Sequence, residues 1–394
     1  MHQLYLSFPS PILQGRAYAA VTIPDGGQAA SYGVLYLLHG ASGRYTEWLE
    51  FTNAARYAAD YGFITVMPAT FVSYTTDMKY GKPYFTHLSE ELIPLLHALL
   101  PIAPEPEKHL IAGLSMGGMG AFKLGTYRHD YFSAVGAFSS PIDMRATFHE
   151  YLQGRAPGGS DFADAFGDAD FMAQEPNDIF GMMERLHRNG VALPRYYHAC
   201  GTEDHTFSHN ERAHQRLVEM GIPSTYQTRP GGHTFDFWET SIQDFLRWAC
   251  PQGKLQPGPA LPISTAARPA LEIEAWYSSS LLRCDLPWRL ILPPQANGEA
   301  LDAIRVLLHP PTEDGRYWLH RYDLPAAANR LHTALLCPDL HDSGGADVPH
   351  GRDFGQYLHR ELPQSLARLL RMAPTQWDYT KEDAWRSLLA NQQP

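Results

Sequence analysis

The run Gly113-Leu114-Ser115-Met116-Gly117-Gly118 follows a short apolar stretch, His109-Leu110-Ile111-Ala112, and precedes a helix-like stretch from Met119 to Tyr127. Strand, G-x-S-x-G turn and helix in that order put the serine on a sharp, strained corner, its hydroxyl exposed at the top of a sheet. Glycines are needed two residues either side, because a side chain there would collide with neighbouring backbone. Glycine and serine are also common turn residues, so the same letters fit a purely structural turn. What lies elsewhere in the chain decides between the two.

The first 250 residues alternate apolar strand-like runs with helical stretches, the pattern of an α/β sheet. Strands are expected at 18–23, 34–38, 63–67, 110–114, 134–138, 195–200 and 224–228, and helices at 52–61, 84–100, 118–127 and 211–220. Gly62 and Gly221 stand where helix-ending glycines belong. The interval 139–189, with Gly158-Gly159, is longer and irregular, and reads as an excursion over one face of the sheet.

With 394 residues the chain has room for two domains, and 44% apolar against 19% charged residues predicts a packed core. A net charge of −11 argues against nucleic acid or an anionic membrane surface as partner. The start, Met1-His2-Gln3-Leu4-Tyr5-Leu6, lacks the layout of a secretory signal, and no run reaches membrane-span length. Cys200, Cys250, Cys284 and Cys337 are scattered and read as buried thiols in a reducing compartment. A soluble cytoplasmic protein is expected.

Residues 251–269, rich in Pro and Gly, read as a linker after a first domain of residues 1–250. Beyond it, Ile304-Arg305-Val306-Leu307-Leu308-His309 echoes Val34-Leu35-Tyr36-Leu37-Leu38-His39 at a spacing of 270. The same spacing relates Ser10 to Ser280, Trp48 to Trp318, Pro68 to Pro338, Asp77 to Asp347 and Gly81 to Gly351. It continues through Glu91-Leu92 and Glu361-Leu362, and Pro104 and Pro374. Residues 270–394 therefore read as a degenerate partial repeat of residues 1–124. Opposite the elbow stands Asp383-Ala384-Trp385-Arg386-Ser387-Leu388, so the repeat is expected to be non-catalytic. Without a counterpart of the 110–114 strand its sheet would have a bare edge, to be covered by the first domain or by a second subunit in a homo-oligomer.

A serine hydroxyl needs a base to take its proton, and the base needs an acid to fix its tautomer. In the order serine, acid, histidine, the loop Gly201-Thr202-Glu203-Asp204-His205 offers Asp204 or Glu203, and Arg229-Pro230-Gly231-Gly232-His233 offers His233. Asp178 and Asp236 are weaker acids for this role, better read as caps or solvated groups. For an oxyanion, one donor is the Met116 amide, and the second is expected from His39-Gly40-Ala41-Ser42-Gly43, with Ala41 as the donor. His205, His209 and His214 have spacing that zinc sites use, but surface histidines flanking a helix start are commoner, and no metal is expected. Among the loop aromatics Trp48, Phe71, Tyr74, Phe235 and Trp238, most are packing; Tyr74, Trp238 and Gly40 are candidates for substrate contact.

Together, Tyr36-Leu37-Leu38-His39-Gly40, Val66-Met67-Pro68, Tyr74 to Asp77 with Tyr80-Gly81, Glu91-Leu92, Gly113 to Gly118, Cys200 to Asp204, and Gly231-Gly232-His233 with Phe237-Trp238 resemble the esterase D/tributyrin esterase group of α/β-hydrolases. That group includes S-formylglutathione hydrolases, feruloyl esterases and mycolyltransferases. The resemblance covers roughly residues 5–248. It implies an α/β-hydrolase fold, a mostly parallel sheet flanked by helices, with the partial α/β copy appended. It implies Ser115, Asp204 and His233 as a triad, with Ala41 and Met116 as oxyanion amides. The implied reaction is hydrolysis of short-chain acyl esters through an acyl-serine, without a cofactor. Thr234-Phe235 after the histidine departs from the tributyrin-type pattern and leaves the acyl preference open. Acyl transfer, or S-formylglutathione-type thioester hydrolysis, would use the same residues. A non-catalytic scaffold is the rival from another class.

Overall fold

The computed structural model describes residues 1–25, 31–41, 43–154, 160–259, 261–262, 264, 266–279, 281–282, 284–295, 299, 301, 303–310, 313–340, 343, 353–370 and 376–390. Ser42, Gly158-Gly159, Ser280, Asp347, Gly351 and Pro374, named above, lie outside the described residues. In chain order the strands are β1 (His2–Ser10), β2 (Gly15–Ile23), β3 (Gly33–Leu38), β4 (Phe63–Pro68), β5 (His109–Leu114), β6 (Ala134–Phe138) and β7 (Arg195–Gly201). They continue with β8 (Ser224–Arg229), β9 (Leu271–Ser279), β10 (Cys284–Leu292), β11 (Ala303–Leu307), β12 (Ala334–Pro338) and β13 (Gln376–Thr380). The chain divides into two compact units.

One unit comprises Tyr32–Ile93 and Ile102–Gly258. Its sheet runs β4-β3-β5-β6-β7-β8, with every neighbouring pair parallel. Strands β3, β4 and β5 are buried along their whole length, which is why they read as unbroken apolar runs. A Cβ on Gly125, in the helix Met116–Tyr127, would meet Val135, and one on Gly136 would meet Phe245, in the helix Phe235–Ala249. Val135 and Gly136 are consecutive on β6 and point to opposite faces. The two helices therefore cover opposite faces, as expected of an α/β sheet. The chain goes from β3 outward to β4 and returns across β3 to β5, so the strand order reverses there. Loops leaving the C-terminal ends of β3 and β5 splay apart at such a reversal and leave a crevice.

The expected strands lie within a few residues of the observed ones. Gly62 and Gly221 end their helices at φ of 85° and 67°, in the left-handed region. The helical stretch expected at 84–100 carries a widened π-helical turn at His87–Leu92.

The other unit comprises Met1–Ser31, Pro94–Pro101 and Pro259–Pro394. Its sheet runs β13-β11-β12-β10-β9-β1-β2 and is mixed. β1 pairs antiparallel with both β2 and β9, whereas β11 pairs parallel with β12 and β13. A cluster around Trp318, Trp385, Leu324 and Leu335 forms its core against the helix Leu324–Leu331. The expectation that this segment lacks a strand beyond β11 is corrected here. Gln376–Thr380 supplies it, a few residues before the place the spacing of 270 assigns, and its half-buried polar sequence hides it from a search for apolar runs.

Candidate active site

Ser115 sits between β5 and the helix Met116–Tyr127 with φ 51° and ψ −122°, a strained geometry for a residue with a side chain. Its amide donates to Phe138 O at 2.8 Å, which ties the corner to β6. The corner forms only because its neighbours lack side chains. A Cβ on Gly113 would lie 2.3 Å from backbone atoms of Gly117, and one on Gly117 would lie 2.3 Å from Leu38 O.

His233 Nε2 lies 3.0 Å from Ser115 Oγ, and His233 Nδ1 lies 3.0 and 3.1 Å from the two Asp204 oxygens. An ionised carboxylate only accepts, so Nδ1 carries the proton and Nε2 is the acceptor facing the serine. Burial alone would raise the Asp204 carboxyl. Hydrogen bonds from His233 and from the Thr206 amide and hydroxyl, the latter two at 2.8 Å, outweigh burial and hold it far below its ordinary range. Asp204 is thus an anion at any working pH. The loops bearing Asp204 and His233 are joined backbone to backbone, by Thr202 N to Arg229 O at 3.0 Å and Glu203 N to Gly231 O at 3.1 Å. The Glu203 carboxylate accepts from Gly231 N. Of the two acids left open by the spacing, Asp204 meets the histidine ring and Glu203 braces its loop.

The loop after β3 is held by two buried groups. His39 Nδ1–H donates to Gly40 O at 2.8 Å and its Nε2 accepts from Thr70 N at 3.1 Å; burial lowers its pKa. Glu47 Oε1 accepts from Gly40 N at 2.7 Å, and burial raises its carboxyl to about 7. A cavity of about 380 Å³ opens over Ser115 and His233, lined by Gly40, Ala41, Glu47, Phe51, Phe235 and Trp238 among others. Phe51 and Phe235 face each other at 4.7 Å between ring centroids, and Trp238 stands edge-on to His233 at 5.0 Å. A second cavity of about 390 Å³, near Pro194 and Trp248, is lined by His187 and Ser224 among others, but Ser224 Oγ makes no hydrogen bond among the described residues.

A family model named Esterase, described as "Putative esterase", matches residues 10–249. The chain belongs to this esterase family. An acetyl esterase of Caldicellulosiruptor saccharolyticus is 29% identical over 225 residues, 54% of this esterase and 82% of that protein. An esterase of Mycobacterium tuberculosis is 24% identical over 252 residues, 59% of this chain and 55% of that one. Among solved structures, a fluorophosphonate-binding serine hydrolase of Staphylococcus aureus superposes with a TM-score of 0.57 at 21% identity, covering 63% of this chain and 97% of that one. The S-formylglutathione hydrolase of the same organism gives 0.56 at 21%, covering 63% and 99%. At these identities the superpositions establish an α/β-hydrolase fold. The esterase also carries the additional C-terminal region described above.

The other sequence candidates divide. Gly40, Ala41 and Trp238 line the cavity. Met116 begins the elbow helix, directly after Ser115, with its side chain buried. Tyr74 is not brought to the cavity: its ring packs on Phe162 and Phe166, at 5.0 and 5.4 Å. Asp178 caps the helix Ile179–Arg188 through Gly181 N, as expected of a capping residue. His205, His209 and His214 do not converge. His205 precedes the helix Phe207–Glu219, His209 approaches Glu150, and His214 packs beside His198 and Tyr226. Sequence reasoning missed Glu47, Phe51 and Phe235 as cavity walls. The available signals were that Glu47 and Phe51 closely follow the glycine-rich loop and that Phe235 stands two residues after His233.

Proposed function

We propose that this esterase hydrolyses short-chain acyl esters through an acyl-serine intermediate, with Ser115 as nucleophile, His233 as base and Asp204 as its orienting acid, and without a cofactor. The observation that carries this is the unbroken relay Ser115 Oγ–His233–Asp204, each link at 3.0 Å. Oγ bonds to the acyl carbon while its proton passes to His233 Nε2. Asp204 stabilises the imidazolium that results. The negative charge on the former carbonyl oxygen falls to the amides of Met116 and Ala41, the first at a helix N-terminus where the dipole favours an anion. The alcohol leaves with the proton from Nε2, and water repeats the sequence on the acyl-enzyme. A small cavity with aromatic walls supports a short acyl chain, and a relative named an acetyl esterase points the same way. The test is a p-nitrophenyl ester series from acetate to octanoate, with an S-acyl thioester alongside. Expected is highest kcat/KM for the shortest esters, and a loss of roughly 10³-fold or more in Ser115→Ala. Turnover retained by Ser115→Ala would overturn the assignment.

Residues 270–394 are best read as a non-catalytic partial copy of residues 1–124. Supporting this, β9, β10, β11 and β12 recur about 270 residues after β1 to β4, and the π-helical turn at His87–Leu92 has a counterpart at Tyr357–Glu361. The hydrogen bonds of His39 recur as well: His309 Nδ1 donates to Pro310 O, and Leu340 N donates to His309 Nε2. The β1–β9 pairing adds a symmetry argument. Gln3 faces Trp276, Leu4 faces Ala275, Tyr5 faces Glu274 and Leu6 faces Ile273, so equivalent strands meet in a two-fold register, as two copies of one subunit would. The stretch opposite the elbow lies in or beside the helix Glu382–Ala390 and forms no turn. A serine-reactive organophosphate should label one serine per chain, and none in Ser115→Ala. A labelled serine beyond residue 269 would refute this reading.

A further inference from the structure

We propose that Asp204, His205 and His233 form a binding site for a transition-metal dication of the zinc class, and that filling it switches the esterase off. One donor atom from each of the three lies within 4.8 Å of the other two. His205 Nδ1 is 3.6 Å from Asp204 Oδ1, and His233 Nδ1 is 3.1 Å from the same oxygen. Ligands about 2.0–2.1 Å from a tetrahedral zinc stand about 3.4 Å apart, so these separations fit such an ion. The imidazoles of His205 and His233 lie 4.4 Å apart between ring centroids. His205 is 68% exposed and can turn to complete the contact, while Asp204 is fully buried and fixed. Two imidazoles and one carboxylate, with a fourth position open to water, are a ligand set that zinc accepts.

The cost falls on the triad. His233 Nδ1 carries the ring's one proton in the hydrogen bond to Asp204, and to bind the metal the neutral ring must switch tautomer, freeing the Nδ1 lone pair and placing the proton on Nε2. The ring then loses its orienting partner, and the adjacent cation opposes a second positive charge on Nε2. Nε2 can no longer take the serine proton. His205 reaches the site because it directly follows Asp204 and ends up beside His233.

That metal binding inactivates rests on the proposed triad; the binding itself does not, so the two are measured separately. Zn²⁺ is titrated into the full chain against a chromophoric chelator, and hydrolysis of p-nitrophenyl acetate is followed in parallel. Expected is one Zn²⁺ per chain and inhibition reversed by EDTA. His205→Ala should keep its basal activity and lose at least tenfold in both zinc affinity and inhibition; His209→Ala should match the wild type. Unchanged zinc affinity in His205→Ala, or a loss in His209→Ala instead, would overturn the site. Zinc bound through His205 without inhibition would overturn the switch.

Discussion

Replacing Glu47 by glutamine removes a negative charge from the cavity wall but keeps the oxygen that accepts from Gly40 N–H. Glu47 is 4% exposed, and burial lifts its carboxyl from 4.5 to about 7, against the opposing pull of the Gly40 and Arg44 amides. The folded form thus binds a proton more tightly than the unfolded chain. Between pH 4.5 and 7 the native state holds more protons, so stability falls as pH rises through that window and then levels off. Each pH unit across that window removes about 1.4 kcal/mol, and the loss comes to about 3 kcal/mol. Glutamine does not titrate. Its amino group faces the Arg44 amide, a cost that is the same at every pH and cancels when one pH is compared with another. Relative to the wild type, Glu47→Gln should therefore gain about 3 kcal/mol between pH 4.5 and pH 8. Urea unfolding of both proteins across this range, followed by tryptophan fluorescence, reads the difference directly. Titration of other groups is common to both proteins and drops out. A difference independent of pH would mean that Glu47 is ionised throughout, its two amide donors outweighing burial, and would refute the reasoning.

Gly117→Ala places a Cβ 2.3 Å from Leu38 O and 2.7 Å from His39 O, both backbone atoms that must retreat by about 1 Å to reach normal contact. Because the loop they begin carries Ala41, kcat should fall about 10²–10³-fold, with about 1–3 kcal/mol lost in stability; activity within threefold of wild type would count against the elbow. Asp204→Asn leaves the packing but favours the wrong tautomer of His233, and kcat should drop by about 10⁴ with little change in KM. Lys123 is fully buried, its amine pushed down to about 7 by desolvation, and donates to Tyr74 O and Asn177 Oδ1. Between pH 7 and 10.5 the unfolded chain binds more protons than the folded one, so stability rises with pH by at most about 1.4 kcal/mol for each pH unit, and Lys123→Met should abolish that rise in urea melts.

How far the letters carried depended on whether backbone or side-chain packing decides. The elbow, the parallel strands and the order serine, acid, histidine were legible because glycine and a fully buried strand leave unmistakable local patterns. β1 was legible too, with Leu4, Leu6 and Phe8 buried at alternate positions, although the strand expectations began only at residue 18. The choice between Glu203 and Asp204 was not, since both occupy one loop; Thr206 decides it by capping Asp204 from two positions further on. Tyr74 stands near the site in sequence but points into a cluster of phenylalanines from the irregular interval, whose path no periodicity records. Glu47 was hidden for a different reason. A glutamate on a short helix reads as a solvated residue, and only the fold turns it inward to meet the amide of Gly40. Sequence periodicity thus located the groups proposed to do chemistry. Of the groups that hold them in place, Thr206 and Glu47 act within one loop segment each, whereas Glu203 and His39 act through contacts between loops, which exist only once β7 lies beside β8 and β3 beside β4.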